Sequence, residues 1–409
     1  MNIAFIVEKF PALTETFILN QVVGLIELGH NVDIYALHQD DTNKVHSDVI
    51  KYDLLTHTHY MVQMPKNYVF RVLQVIWLII INFKKAPLAV MRSLNFFKYG
   101  KSAISLRLFY SILPFLDSRS YDIIHCQFGM YGIVGMRLRE LGAIRGKLIT
   151  CFRGYDISWY VKEFGDDIYN ELFSKGDLFL ANCDFFRQRA IKLGCEERKI
   201  IVHGSGIDCD RFAFKPRYLS CDRQIRIVTV GRLIEKKGIE YSIHAVAEIL
   251  NNYPNIEYNI IGEGYLKEYF QQIINEFCVE EKIHLLGWKN QQEIIEVLDN
   301  SHIFIAPSVT AKDGNQDAPV NTLKEAMAMG LPVIGTYHGG IPELVEDGIS
   351  GFLVPERDAS AIANKILYLI EHPEIWLSMG KAGSSYVEKH YNMHQLNHEL
   401  VEIYQQVSV

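Results

Sequence analysis

Four side chains in the second half of the chain have the types and spacing to hold a sugar attached to a diphosphate: Arg232, Lys237, Asp317 and Glu325. Arg232 and Lys237 stand in GRLIEKKG (231–238), directly after a β-branched run that reads as a strand. Gly231 lets the backbone turn there. Two fixed cations beyond a strand end can stabilise the charge that develops on a departing phosphate. Arginine does so as a fork, lysine as a point charge; Lys236 reads as a surface residue. Asp317 and Glu325 lie eight residues apart, joined by Ala318, Pro319 and Val320 and by an expected helix over 321–329. Pro319 suits a first-turn position, where no backbone donor is needed. The first free N–H groups, around Ala318 to Asn321, make a natural anion site. Glu325, one turn further in, reaches a polar group beside the anion, such as a ribose hydroxyl. The plain alternative at each place is a solvated turn or helix start, with Asp317 near the positive end of the dipole.

Elements of one kind must position these groups. Short β-branched runs at 2–7, 31–36, 121–126, 147–152, 177–182 and 199–203 alternate with helical patterns. A second series follows at 225–231, 256–262, 282–286, 302–306, 332–335 and 351–354. Strands separated by helices predict parallel sheets of βαβ units, hence an α/β protein with two doubly wound domains and a cleft at the carboxyl ends of the strands. Residues 208–224 are polar, carry Pro216 and show no sustained period, which marks a linker. The expected division is therefore 1–207, linker 208–224, and 225–385, with 386–409 as a terminal segment ending in an amphipathic helix.

The 307–356 stretch resembles the C-terminal signature of family 4 glycosyltransferases, the retaining, nucleotide-sugar-dependent enzymes of the GT-B fold. The resemblance implies two Rossmann-like domains and a last helix that crosses back to the first. It implies that Arg232, Lys237 and the helix start hold the diphosphate and that Glu325 holds the ribose. Asp317 takes the place of a glutamate that contacts the donor sugar and is shorter by one methylene. Gly262-Glu263-Gly264 resembles the turn beside the nucleotide, which adds Glu263 and Gly264 to Gly231 on the donor side. Leu286-Gly287-Trp288 matches a strand-end glycine, with Trp288 either core or base contact. HGGIPE (338–343) fits a turn read as mainly structural.

Weaker candidates lie in the first domain. FPALTETFI (10–18) resembles the opening of family members that build bacterial exopolysaccharides, the colanic-acid type among them. Glu15 and Thr16 would face the cleft, unless Thr14 simply caps a helix. His125 and Gln127 occupy places where relatives carry two histidines near the reacting sugar; glutamine can bond a hydroxyl but carries no proton at neutral pH. Arg153 and Asp156 orient an acceptor or form a structural pair. HGSGID (203–208) resembles an interdomain hinge. No metal-binding motif sits at a strand end, so no cofactor or metal is expected.

Composition narrows the setting. The chain has 409 residues, 49% hydrophobic and 22% charged, and reads as globular. Seven cysteines are scattered without a CxxC pair, as expected of idle thiols in a reducing compartment. The N-terminus reads as a strand rather than a secretion signal. The net charge is −7, yet 54–116 contains no Asp or Glu and eight cations: Lys66, Arg71, Lys84, Lys85, Arg92, Lys98, Lys101 and Arg107. The segment also holds VLQVIWLIII (72–81), too short to span a bilayer, which takes about 20 residues. An anionic membrane surface is the expected partner of 54–116, against an ordinary buried helical pair. Nucleic acid is not expected, because the acidic remainder would repel it. Composition and charge thus predict a cytoplasmic protein peripherally associated with the inner face of the cell membrane, and the resemblance implies a retaining enzyme moving a hexose-type sugar from a nucleoside diphosphate to a glycan or lipid-linked oligosaccharide in bacterial surface polysaccharide synthesis. The alternatives are a nucleotide-sugar hydrolase or epimerase, and a silent scaffold.

Overall fold

The computed structural model describes residues 1–12, 15–39, 45–116, 120–219, 224–317 and 319–408. Thr14 and Ala318 lie outside the described residues. Two parallel sheets carry the fold. The first comprises β1 (Asn2–Lys9), β2 (Asn31–His38), β3 (Thr58–Tyr60), β4 (Ile123–Gln127), β5 (Lys147–Phe152), β6 (Leu178–Ala181) and β7 (Ile200–Val202) in the order 3-2-1-4-5-6-7. The second comprises β8 (Ile225–Val230), β9 (Ile256–Ile261), β10 (Ile283–Gly287), β11 (Ile303–Ala306), β12 (Val333–Thr336) and β13 (Phe352–Val354) in the order 10-9-8-11-12-13. Every expected strand is present. The extra one, β3, is a three-residue edge strand, THY, too short to show a period.

Both sheets are covered on both faces, so their strands read as nearly unbroken apolar runs. Alternate residues nevertheless feed different cores. Ile3, Phe5 and Val7 pack toward helix Thr16–Glu27 and the last helix, Met393–Ser408, through Leu400 and Tyr404. Ala4 and Ile6 pack toward helix Gly129–Leu141. Ile225 and Ile227 likewise face away from Val228 and Val230. The last helix thus rests on the first domain, although the segment leading into it packs on the second. The crossing is fixed at the hinge: Ile207 donates to the Tyr391 carbonyl and Met393 to that of Ile207, each at 2.9 Å.

The strand order reverses between β1 and β4 and between β8 and β11. These are the switch points where doubly wound sheets leave a crevice at their carboxyl ends. GRLIEKKG leaves β8 and the 307–317 loop leaves β11, so both expected donor motifs emerge at one switch point.

One local expectation fails. The helix after this loop runs Asn321–Ala328 with Val320 as N-cap. Pro319 therefore precedes the helix instead of sitting in its first turn, and it packs against Gly340, where an added Cβ would lie 2.4 Å from its Cδ.

Candidate functional site

Helix Asn321–Ala328 is tied to the end of β8 by Thr322, whose hydroxyl donates to the Val230 carbonyl at 2.8 Å. GRLIEKKG folds over the 307–317 loop. Gly238 adopts φ +60°, and a Cβ there would lie 1.9 Å from the Pro307 carbonyl oxygen, so only glycine permits this approach. Val309 donates to the Lys236 carbonyl at 2.9 Å from the opposite side.

The result is a buried charge cluster. Asp317 receives Lys237 at 2.8 Å and Lys236 at 3.0 Å, and the Ser308 hydroxyl at 3.1 Å. Burial raises the Asp317 pKa, but the two ammonium groups more than reverse this and hold it well below the usual carboxylate range. Burial lowers the Lys237 pKa, and Asp317 opposes the shift. Lys236 is thus not the surface residue expected from the sequence. It is buried and also donates to Asn315 at 3.3 Å. The cluster extends through the 338–343 turn. The Asp317 backbone N–H donates to His338 Nε2 at 2.9 Å, so the opposite nitrogen carries the proton that His338 gives to Glu356 at 2.6 Å. Glu356 also accepts from the Thr310 N–H at 2.8 Å. Gly339, at φ +52°, brings its Cα against the Asp317 carbonyl.

Of the other donor-side candidates, Arg232 is near enough for its charge to act on Lys237. Arg232 is exposed, and its guanidinium meets no partner among the described residues. Glu263 pairs with Lys267 at 2.8 Å on the rim, while Gly264 packs on the Leu233 backbone. Trp288 is exposed on the surface rather than in the core. Glu325 is half-buried, and no donor among the described residues bonds its carboxylate. Burial pushes its pKa up to about 7, with Lys324 opposing the rise. Ionising Glu325 therefore costs the unliganded fold stability. The cost is absent below the unfolded pKa near 4.5, grows as pH rises and is complete above about 7, where it amounts to about 3 kcal/mol at most. Glu325→Gln is expected to raise the melting temperature at pH 8 and leave it unchanged near pH 4.5, as differential scanning calorimetry would show.

Several bonds join the two domains across the cleft. The Glu343 carboxylate accepts the backbone N–H groups of Asp184 and Phe185, each at 2.7 Å, at the start of a first-domain helix. Arg189 donates to Gln316 at 2.7 Å. Lys324, fully buried, donates to the Ser205 carbonyl at 2.8 Å and lies over the Tyr391 ring.

The first-domain candidates divide. Glu15 is the N-cap residue of helix Thr16–Glu27 and makes no side-chain cap bond; Thr16 opens the helix. One Glu15 oxygen is buried without a hydrogen bond. Burial pushes the Glu15 pKa up to about 7, Glu8 adds to the rise, and Arg153 and Arg232 oppose it, so Glu15 feels the donor-side arginine. His125, Gln127 and Asp156, by contrast, are fully buried. His125 bonds Tyr404 of the last helix at 2.6 Å and stacks on Phe5. Gln127 donates to Gln21 at 2.7 Å and accepts from Arg153 at 2.8 Å. Asp156 accepts the N–H groups of Gly129, Arg153 and Gly154 at 2.8–3.0 Å, with no bond to the Arg153 guanidinium. In the unliganded structure these three side chains are thus enclosed by neighbours of their own domain and the last helix. Arg153 is also nearly buried, bonded to Gln127 and Ser205 and stacked on Phe17. Among the described residues no cluster of three His, Cys, Asp or Glu side chains could hold a metal ion, and six cysteines are free.

Comparisons with known proteins identify the family and the fold. Residues 14–211 match the model of Glycosyltransferase Family 4, and residues 210–386 that of Glycosyl transferases group 1. The amylovoran biosynthesis glycosyltransferase AmsK of Erwinia amylovora is 33% identical over the full length of both chains. This chain is a family 4 glycosyltransferase. It is also 33% identical to WcaL of Escherichia coli K12, assigned to colanic acid biosynthesis, over 99% of this chain and 100% of that one. Among solved structures, HepE of Anabaena in complex with UDP superposes with a TM-score of 0.71 at 18% identity, covering 99% of this chain and 100% of its own. Sucrose-phosphate synthase of Thermosynechococcus elongatus gives 0.72 at 17% identity, covering 100% and 99%. The fold of this glycosyltransferase is GT-B.

The sequence marked HGGIPE as a structural turn without giving His338 or Glu343 a partner, took Lys236 for a surface residue and did not single out Glu356. The contacts of His338 and Glu356 with the loop after β11 depend on strand adjacency.

Proposed function

We propose that this enzyme transfers a hexose-type sugar, with retention, from a nucleoside diphosphate donor to a lipid-linked glycan at the inner face of the cell membrane. The carrying observation is the paired-lysine cluster on Asp317 beside an exposed Arg232 and the start of helix Asn321–Ala328. An incoming diphosphate competes with Asp317 for the lysines. Arg232 and Lys237, helped by Lys236, then hold the phosphates as the glycosidic C–O bond breaks. Asp317, released from Lys237, turns to a hydroxyl of the donor sugar, and Glu325 accepts from the ribose. Arg232, Lys236 and Lys237 supply positive charge to the diphosphate, and the proposed mechanism invokes no metal. A donor phosphate oxygen takes the acceptor proton, in keeping with the burial of His125 and Gln127. HepE was crystallised with UDP and with UDP-glucose, which supports a uridine nucleotide here.

The test is turnover of UDP-sugars with a lipid-linked acceptor, followed by NMR of the new linkage. An anomeric configuration matching that of the donor is expected. Inversion would overturn the retaining mechanism, and donor loss without a glycan product would assign the chain to hydrolysis. A ribose contact at Glu325 also gives a pH signature. Affinity for the nucleoside diphosphate should rise from pH 6 to pH 8 more steeply than in Glu325→Gln, since only the ionised carboxylate accepts both hydroxyls.

A further inference from the structure

Helix Tyr68–Asn82 is built inside out. Only Val75 is buried, whereas Val69, Phe70, Leu73, Ile76, Trp77 and Ile80 are each more than half exposed. Their spacing of three and four residues puts them on one side of the helix. The one charge on this helix, Arg71, is turned back to donate to the carbonyls of Pro65 and Ser105 at 2.8–3.0 Å. Its outer face is thus wholly uncharged. The surface continues through Leu88 and Met91 on helix Pro87–Ser93 and through Phe97, which is 89% exposed. Soluble monomers rarely leave so large an apolar patch open to water. Lys84, Lys85, Lys98 and Lys101 are exposed in the same stretch, which lacks Asp and Glu.

We infer that helix Tyr68–Asn82 lies in the plane of an anionic lipid leaflet, its outer face among the acyl chains, with the lysines of the following turns on the headgroups. Charge selects this occupant. A second copy of the chain would bring cation against cation, whereas a leaflet offers hydrocarbon and negative headgroups together. Length excludes a span: 15 residues at 1.5 Å rise reach about 22 Å, short of the roughly 30 Å hydrocarbon core, and no helix among the described residues is long and apolar enough to cross. The segment follows β3, whose carboxyl end lies on the cleft side of the sheet, so docking here holds the cleft near the bilayer. That gives the proposed lipid-linked acceptor its route to the donor, and to that extent depends on the transferase reading; lipid binding by the surface does not.

The test is flotation of the full chain with vesicles of phosphatidylcholine alone or mixed with phosphatidylglycerol. Recovery is expected only with phosphatidylglycerol, falling in high salt, and brominated acyl chains should quench Trp77 fluorescence, judged against Trp77→Phe. The triple variants Leu73→Ser/Trp77→Ser/Ile80→Ser and Lys84→Glu/Lys85→Glu/Lys98→Glu should each lower recovery at least about tenfold. All substituted residues are exposed, so folding and UDP affinity should persist. Equal recovery on neutral vesicles, none on either, or wild-type recovery of both variants would overturn the inference. So would a dimer in solution that the first variant dissolves, which would assign the face to a second copy. Loss of UDP binding with flotation intact would count against the transferase reading alone.

Discussion

Replacing Lys237 by alanine is expected to slow sugar transfer roughly 100- to 1000-fold, about 2.7–4 kcal/mol, with Arg232→Ala having an effect of the same order. The two residues reach the site differently. Arg232 is exposed and unpartnered among the described residues, so its loss removes charge from the transition state and little from the fold. Lys237 is bonded to Asp317 at 2.8 Å, so its loss also leaves Asp317 with one ammonium partner, Lys236, beside the Ser308 hydroxyl. Steady-state rates with a saturating donor, together with circular dichroism of each variant, would separate chemistry from folding. Near-normal rates in both folded variants would remove GRLIEKKG from the mechanism.

A comparably large effect is expected from Asp317, in stability as well as turnover. Asp317→Asn removes the counter-charge of two lysines that are buried or nearly so, and stranding a buried charge costs on the order of 3–5 kcal/mol. The Asp317 pKa is depressed in the folded state. Its contribution is therefore complete above the unfolded pKa near 3.8 and is lost as pH falls toward the folded value, so the deficit of the variant should be constant from pH 5 to 8. A nucleoside diphosphate supplies the missing negative charge. It should therefore bind the variant as well as the wild type or better, and raise its melting temperature more, while transfer stays impaired because the sugar contact is gone. Scanning calorimetry with and without UDP reads both parts. A collapse of diphosphate affinity would place Asp317 in the nucleotide site proper.

Sequence patterning carried most of the architecture because a parallel sheet leaves a strong record. Twelve β-branched runs stand out, and the alternation of Ile3, Phe5 and Val7 with Ala4 and Ile6 between two cores follows from the pleat. THY of β3 escaped because three residues carry no period. In the candidate site, Arg232, Lys237, Asp317 and Glu325 stood out by their motifs, and the fold brings Lys237 and Asp317 into contact. Lys236 did not stand out. A lysine in a turn is ordinarily solvated, and only the fold of the 307–317 loop over it creates the buried partner. The burial of His125 and Gln127 was hidden for a related reason. They end β4 at the switch point, but Tyr404, almost 280 residues away, closes over His125. Helix Tyr68–Asn82 was ambiguous on paper, since the same apolar run suits burial or exposure; which side meets water is decided by neighbours far along the chain.

The most direct test of the donor cradle is calorimetric titration of the unliganded enzyme with UDP, GDP and ADP, each beside its monophosphate. At least one diphosphate should bind more tightly than its monophosphate, and that margin should shrink sharply in Arg232→Ala and Lys237→Ala while surviving in the membrane-face variants. Equal affinity for mono- and diphosphate, or binding indifferent to Arg232 and Lys237, would contradict the assignment of the buried lysine–aspartate cluster as the seat of the leaving diphosphate.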